Sequence, residues 1–223
     1  MRYADLSKRL DVSLLCLMPL AVVYMVSVFF LHAAPPNGAD FLTPVLWRLG
    51  GRTALLIFAF AVAVCAFVLF LRLRRVGFRL SLIVGVAAEG LMYAGVMAVV
   101  LMFVVRYALP TSLTATPAGV VAVSAGAGLW EELLFRALLF WGFYRLLSAR
   151  GSRVRNAAAF VCALLVSSAL FSAAHFFSEP PHIGAFVYRL CAGALLCSLY
   201  AVRGLAVCGF CHFSFDMLVL LRH

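Results

Sequence analysis

Glu131 and Glu132 stand side by side, with Arg136 four residues beyond the second, inside an apolar stretch long enough to cross a bilayer. His175 lies in a later apolar stretch, and His212 and Asp216, again four residues apart, lie in the last one. Ionised side chains are costly in hydrocarbon, and where they persist they mark functional sites. The chain has only 8 acidic residues, so much of its polar chemistry is placed inside apolar segments. A carboxylate in such surroundings is suited to take a proton from water, and an imidazole to share that work or to hold a developing negative charge. Glu131, His175 and His212 would also serve as a zinc site with an open position, although no His-Glu-x-x-His sequence is present.

Spacing assigns partners within this set. Residues four apart share one face of a helix, and Glu placed before Arg is the favourable order, so Glu132 and Arg136 are expected to neutralise each other. Glu131, turned about 100° around the helix, is then expected to face a cavity as a carboxylate ready for proton transfer. The same spacing puts Phe171 with His175 and His212 with Asp216. Two histidines and three carboxylates on three helices, converging in one pocket, would relieve the cost of burying each one. Upstream, Ala118, Ala122 and Gly126 form a stripe of small residues that lets a neighbouring helix come close. Gly126 and Gly128, just before Trp130, are expected to loosen the helix near the glutamates.

The elements that must position these residues follow from composition. Hydrophobic residues make up 66% of 223 and charged residues 12%, with a mean hydropathy of +1.10, which excludes a soluble globule. A spanning helix needs about 20 apolar residues, and seven stretches qualify: 12–32, 53–71, 80–106, 117–146, 156–177, 183–202 and 204–221. The expectation is an all-α, polytopic transmembrane bundle of about seven spans. The net charge of +10 does not point to nucleic acid, because the basic residues bracket the spans. Arg2, Lys8 and Arg9 precede the first; Arg72, Arg74, Arg75 and Arg79 follow the second; Arg145, Arg150, Arg153 and Arg155 follow the fourth; Arg203 separates the last two. Alternate loops are therefore basic, which places the N-terminus in the cytoplasm and the C-terminus outside. The uncharged run from Leu14 to Leu31 exceeds the core of a secretory signal, so the first helix is expected to be retained. Abundant arginine and alanine suit a GC-rich bacterial genome and hence a bacterial inner membrane.

All seven cysteines fall in these spans and are expected to pack as small apolar residues rather than to form disulfides. Cys208-Gly209-Phe210-Cys211-His212 matches the haem-attachment pattern, but it lies in mid-span, where attachment cannot reach it. No second cysteine pair or His-x₃₋₅-His supports structural zinc. Ser124 lacks the first glycine of a nucleophile elbow, and the Gly-x-Gly-Asp sequence of aspartyl proteases in membranes is absent.

Glu-Glu-x-x-x-Arg, Phe-x-x-x-His and His-x-x-x-Asn/Asp, each on its own membrane helix and in that order, resemble the CPBP family of intramembrane proteases, also called the Abi or CAAX-protease family. The resemblance covers about 117 to 221 and suggests N-terminal helices at 1–111 followed by a catalytic core at 112–223. It implies that Glu131 and His175 activate a water for attack on a peptide carbonyl, without a cofactor. It further implies that His212 and Asp216 hold the oxyanion, and that Glu132 and Arg136 brace the site beside Phe171. The substrate implied is a membrane-anchored or lipid-modified protein within the bilayer. The chain departs from one common form of the pattern at Asp216: an asparagine donates, whereas an ionised aspartate only accepts. Asp216 must then either hold a proton or orient His212.

Two other classes of function use the same residues. Buried charges also line solute or proton pathways, and Glu89, Arg106 and Arg189 could extend such a path, although no internal repeat is found. A non-catalytic immunity or scaffold protein is the other alternative. Substrate access is expected from the extracytoplasmic half, because His175 lies near the outer end of its span.

Overall fold

A computed structural model describes residues 3–31, 39–40, 42–75, 77–104, 116–148, 152–177 and 180–221. The chain begins with two short helices, α1 (Tyr3–Ser7) and α2 (Leu10–Cys16), which lead into α3 (Met18–Leu31), α4 (Leu42–Arg74) and α5 (Ser81–Val104). The expected fourth span is built from three pieces: α6 (Pro117–Gly126), a π-helix (Ala127–Phe140) and α7 (Trp141–Ser148). Then come α8 (Arg153–Ala174), a 3₁₀ turn (His175–Phe177), α9 (Ile183–Arg203) and α10 (Leu205–Leu220). No strand occurs among the described residues.

Five of these helical stretches are long and apolar enough to span a membrane, or six when α2 and α3, bent by 43°, are taken as one. The chain is thus an all-α, multi-pass membrane protein. The seventh expected span, α10, has only 16 residues, fewer than the roughly 20 that cross a bilayer unaided. Its burial explains the difference. Every residue from Leu205 to His212 is buried, and α10 packs against α2, α5, α6, the π-helix and α9. A helix that is apolar all round belongs in a core rather than against lipid. At the other extreme α4 is almost wholly exposed along its apolar length, and is broken by non-helical backbone at Gly50 and Gly51.

Local chemistry sets several starts. Thr116 Oγ1 accepts from the Gly119 amide at 3.2 Å, with Pro117 in the first turn, and Ser152 Oγ accepts from the Arg155 amide at 3.3 Å. Buried Asp40 accepts from the amides of Leu42 and Thr43 at 3.1 and 2.9 Å and from the Tyr24 hydroxyl at 2.7 Å, which ties the start of α4 to α3.

The helix carrying the glutamates meets α10 backbone to backbone. A Cβ added at Gly128 would lie 2.5 Å from the Gly209 carbonyl oxygen, and one added at Gly209 would lie 2.6 Å from that of Gly128. On the other side of α10, a Cβ at Gly90 of α5 would come within 2.8 Å of the Cys211 amide nitrogen. The small-residue stripe read from the sequence is only partly used: Ala122 and Gly126 are buried, whereas Ala118 is exposed. The tightest approach sits at Gly128, two residues beyond the stripe. The division expected at 111/112 and Arg106 both lie outside the described residues, and α5, from the N-terminal half, packs directly on α10.

Glu89 does not extend a path from the glutamates. Its carboxylate accepts from Arg203 Nε and, at 2.8 Å each, from Arg203 Nη2 and the Tyr3 hydroxyl. These contacts pin α1, α5 and the end of α9 together. Burial, together with the Glu89 carboxylate, holds the Tyr3 phenol well above its ordinary pKa.

Gly209→Ala should destabilise the bundle by about 1–3 kcal/mol through overpacking, whereas Gly142→Ala, with nothing within 4 Å of the added Cβ, should not. Unfolding by SDS titration in mixed micelles measures both, and equal curves for the two variants would show that the close helix contact is not under strain.

Candidate active site

The residues singled out by spacing come from three elements. Glu131, Glu132 and Arg136 lie on the π-helix, Phe171 in the last turn of α8 with His175 as its C-cap, and His212 and Asp216 on α10. A regular α-helix was expected around the glutamates. The chain instead switches to π geometry at Gly126–Ala127, next to the glycines expected to loosen it. Such segments are frequent at functional sites because they break the regular bonding pattern. One of the carbonyls in this segment, that of Phe135, accepts from Ser167 Oγ of α8 at 2.6 Å, which joins the π-helix to the helix bearing His175.

Glu132 is fully buried, and its carboxylate is met from three directions. Oε1 lies 3.0 Å from Arg136 Nη1 and accepts from His212 Nδ1 at 2.6 Å. Oε2 accepts from Cys208 Sγ at 2.9 Å, and that thiol also reaches the Leu196 carbonyl at 3.2 Å. Arg136, equally buried, pairs with Glu132 by charge rather than by an aligned hydrogen bond: its guanidinium nitrogens make none among the described residues. The Phe171 ring covers that guanidinium, with its centroid 4.4 Å from Cζ, a cation–π contact. The expected Glu132–Arg136 pair is present, and His212 and Cys208 join it.

An ionised carboxylate only accepts, so the proton between Glu132 and His212 belongs to Nδ1. Nε2 of His212 then points the other way, 3.9 Å from Glu131 Oε2 and 3.8 Å from Asp216 Oδ1. Both distances exceed a direct hydrogen bond. The group that orients His212 in this structure is therefore Glu132, and Asp216 stands on the opposite side of the ring. Arg189 of α9 is near enough to Asp216 for their charges to interact.

His175 closes the α8 side. Its Nδ1 donates to the Phe171 carbonyl at 2.9 Å, since a carbonyl can only accept, and Nε2 is left pointing away from its own helix. The Phe171 ring stands between the two imidazoles, 5.1 Å from that of His175 and 5.8 Å from that of His212. Phe171 thus touches Arg136, His175 and His212 at once. Among the described residues no group of three His, Cys, Asp or Glu side chains is gathered closely enough to hold a metal ion.

Residues 113–218, from the start of α6 almost to the end of α10, match the family model described as type II CAAX prenyl endopeptidase, Rce1-like. Over those residues, just under half of its length, the chain carries a domain of that type. It is a membrane-embedded endopeptidase in general type, and the residues of the cluster all fall inside the matched segment. No curated protein and no solved structure matches the chain.

Two contributors to this cluster were passed over in the sequence. Cys208 was expected only to pack, yet its thiol bonds Glu132. The signal was its spacing, because Cys208, His212 and Asp216 are four apart and form one stripe on α10. Ser167, Phe171 and His175 repeat that spacing on α8, and Ser167 binds the π-helix backbone.

Arg136→Met should cost about 3–5 kcal/mol, because it leaves the buried Glu132 charge without its counterion. Cys208→Ser should stay near wild type by keeping a donor, while Cys208→Val should lose about 1–3 kcal/mol. Unfolding in mixed micelles checks all three, and a stable Cys208→Val variant would mean that the thiol contact does not support Glu132.

Proposed function

We propose that this endopeptidase hydrolyses a peptide bond of a membrane-anchored or lipid-modified protein, close to its membrane segment, with a water activated by Glu131 and His175. What supports the reading is that the Phe171 ring packs against both His175 and His212, while His212 Nε2 faces Glu131 across 3.9 Å. A base, an imidazole and a buried brace are the parts that hydrolysis in an apolar medium requires.

In this reading Glu131 takes a proton from the water while its oxygen attacks the peptide carbonyl, and His175 orients that water. The carbonyl oxygen becomes an oxyanion held by Nε2–H of His212, which is in its doubly protonated form with Nδ1–H still on the Glu132 carboxylate, and by Asp216, which in its acid form donates as the asparagine of the common family pattern does. Collapse breaks the C–N bond, and Glu131 returns its proton to the leaving amine. Glu132, Arg136 and Cys208 touch none of the reacting atoms; they hold His212 through Nδ1. The reaction uses no cofactor. The N-terminal helices serve as a scaffold, with the N-terminus in the cytoplasm, and access to the site comes from the extracytoplasmic half of a bacterial inner membrane.

Mapping protein termini by mass spectrometry in cells carrying wild type or Glu131→Gln tests the central step. One or a few membrane proteins should stay uncut in the variant, and identical termini with a folded, abundant variant would remove the protease assignment. Solute flux into liposomes that survives the same substitution would favour the transport alternative. Asp216→Asn should keep cleavage within about tenfold, whereas Asp216→Ala should lose roughly 10²–10³-fold, the usual cost of removing an oxyanion donor. Cleavage should also persist in the presence of a strong chelator; loss that zinc restores would shift Glu131, His175 and His212 to a ligand role.

A further inference from the structure

A pocket of about 400 Å³ lies apart from the glutamate–histidine cluster. It is lined by Lys8, Phe140, Trp141, Tyr144, Phe160 and Tyr200, among others, none of which belongs to that cluster. One wall is a rigid set of rings. Phe140 lies 5.4 Å from Phe160, 5.9 Å from Tyr200 and 6.5 Å from Tyr144, measured between ring centroids. Lys8 is at the rim, and its backbone is held against the α9–α10 turn. Gly204 there has φ of +90°, and a Cβ at that position would lie 2.8 Å from the Ser7 carbonyl oxygen and 2.9 Å from the Lys8 Cα. The nearby acid Asp11 is already taken by Arg9, at 2.6 and 3.0 Å. Arg145 is not itself a lining residue, but it sets a second cation against one: its guanidinium lies 5.0 Å from the ring centroid of the exposed Trp141, which lines the pocket.

We propose that this pocket binds one anionic phospholipid, with the phosphate held by Lys8 and Arg145 and the upper acyl chain laid on the wall of rings. The chemistry selects that occupant. A soluble anion would use the cations and leave the rings bare, and a neutral hydrocarbon would use the rings and leave the cations unpaired. Tryptophan and tyrosine sit where headgroups meet hydrocarbon, basic pockets between membrane helices take anionic headgroups, and the volume suits a bound ligand.

The test is native mass spectrometry of the purified full chain in neutral detergent with equal amounts of phosphatidylglycerol and phosphatidylcholine. One phosphatidylglycerol per chain should be retained in preference to phosphatidylcholine. Lys8→Ala and Arg145→Ala should each weaken retention about fivefold, Phe160→Ala should weaken it as well, and Lys8→Arg should leave it unchanged. Lys8 and Arg145 are exposed, so both alanine variants should fold as wild type does. Equal retention of the two lipids, or unchanged binding in both alanine variants, would overturn the proposal. Displacement by inorganic phosphate alone would make this a free-anion site, and displacement by a prenylated peptide would make it a substrate groove; either result also overturns it.

Discussion

A carboxylate sealed from water must find its counter-charge and its donors inside the protein, and the burial of Glu132 places that demand at the centre of this bundle. Arg136 supplies the charge from the next turn, and His212 and Cys208 supply donors from α10. Each partner constrains something else. Arg136 needs a cover, which is Phe171; His212 becomes fixed in tautomer and direction; Cys208 locks the register of α10 against the π-helix. Removing water from such a set raises the cost of any misplacement, because an unpaired buried charge is far more expensive than an exposed one.

That arrangement is possible only because two backbones touch. With Gly128 and Gly209 in contact, α10 lies close enough for short side chains such as Cys208 to reach across to Glu132. The π-helix contributes in the same region. Its Phe135 carbonyl accepts from Ser167 Oγ, which ties α8, with Phe171 and His175 at its end, to the same place. The result is two adjacent glutamates with different surroundings. Glu132 is enclosed by Arg136, His212 and Cys208, whereas Glu131 faces His212 Nε2 across 3.9 Å.

The periphery is organised by different forces. α4 turns its apolar side chains almost entirely outward, as a helix against lipid does, and is tethered mainly through α2 and α3. At the end bearing Lys8, Glu89 joins Arg203 and Tyr3, so α1 becomes part of the structure beside the aromatic pocket. The Glu89–Arg203–Tyr3 network shares no residue with the central cluster.

The amino-acid sequence by itself determined that the chain is a helical membrane protein, because 66% hydrophobic residues leave no alternative. It also determined which polar residues share a helical face, because spacing of four is a local property. Glu132 with Arg136, Phe171 with His175 and the CAAX-endopeptidase pattern were legible for that reason. What spacing cannot specify is which helix lies against which, and at what depth. Only the tertiary structure decided that His212 is held by Glu132 and not by Asp216, that Cys208 bonds a carboxylate instead of merely packing, and that Glu89 belongs to another network. The same limit hid the nature of α10: a short apolar helix at the centre and a lipid-facing helix such as α4 read alike as strings of apolar residues. They differ only in whether protein or lipid surrounds them, and that is settled by contacts between segments distant in the chain.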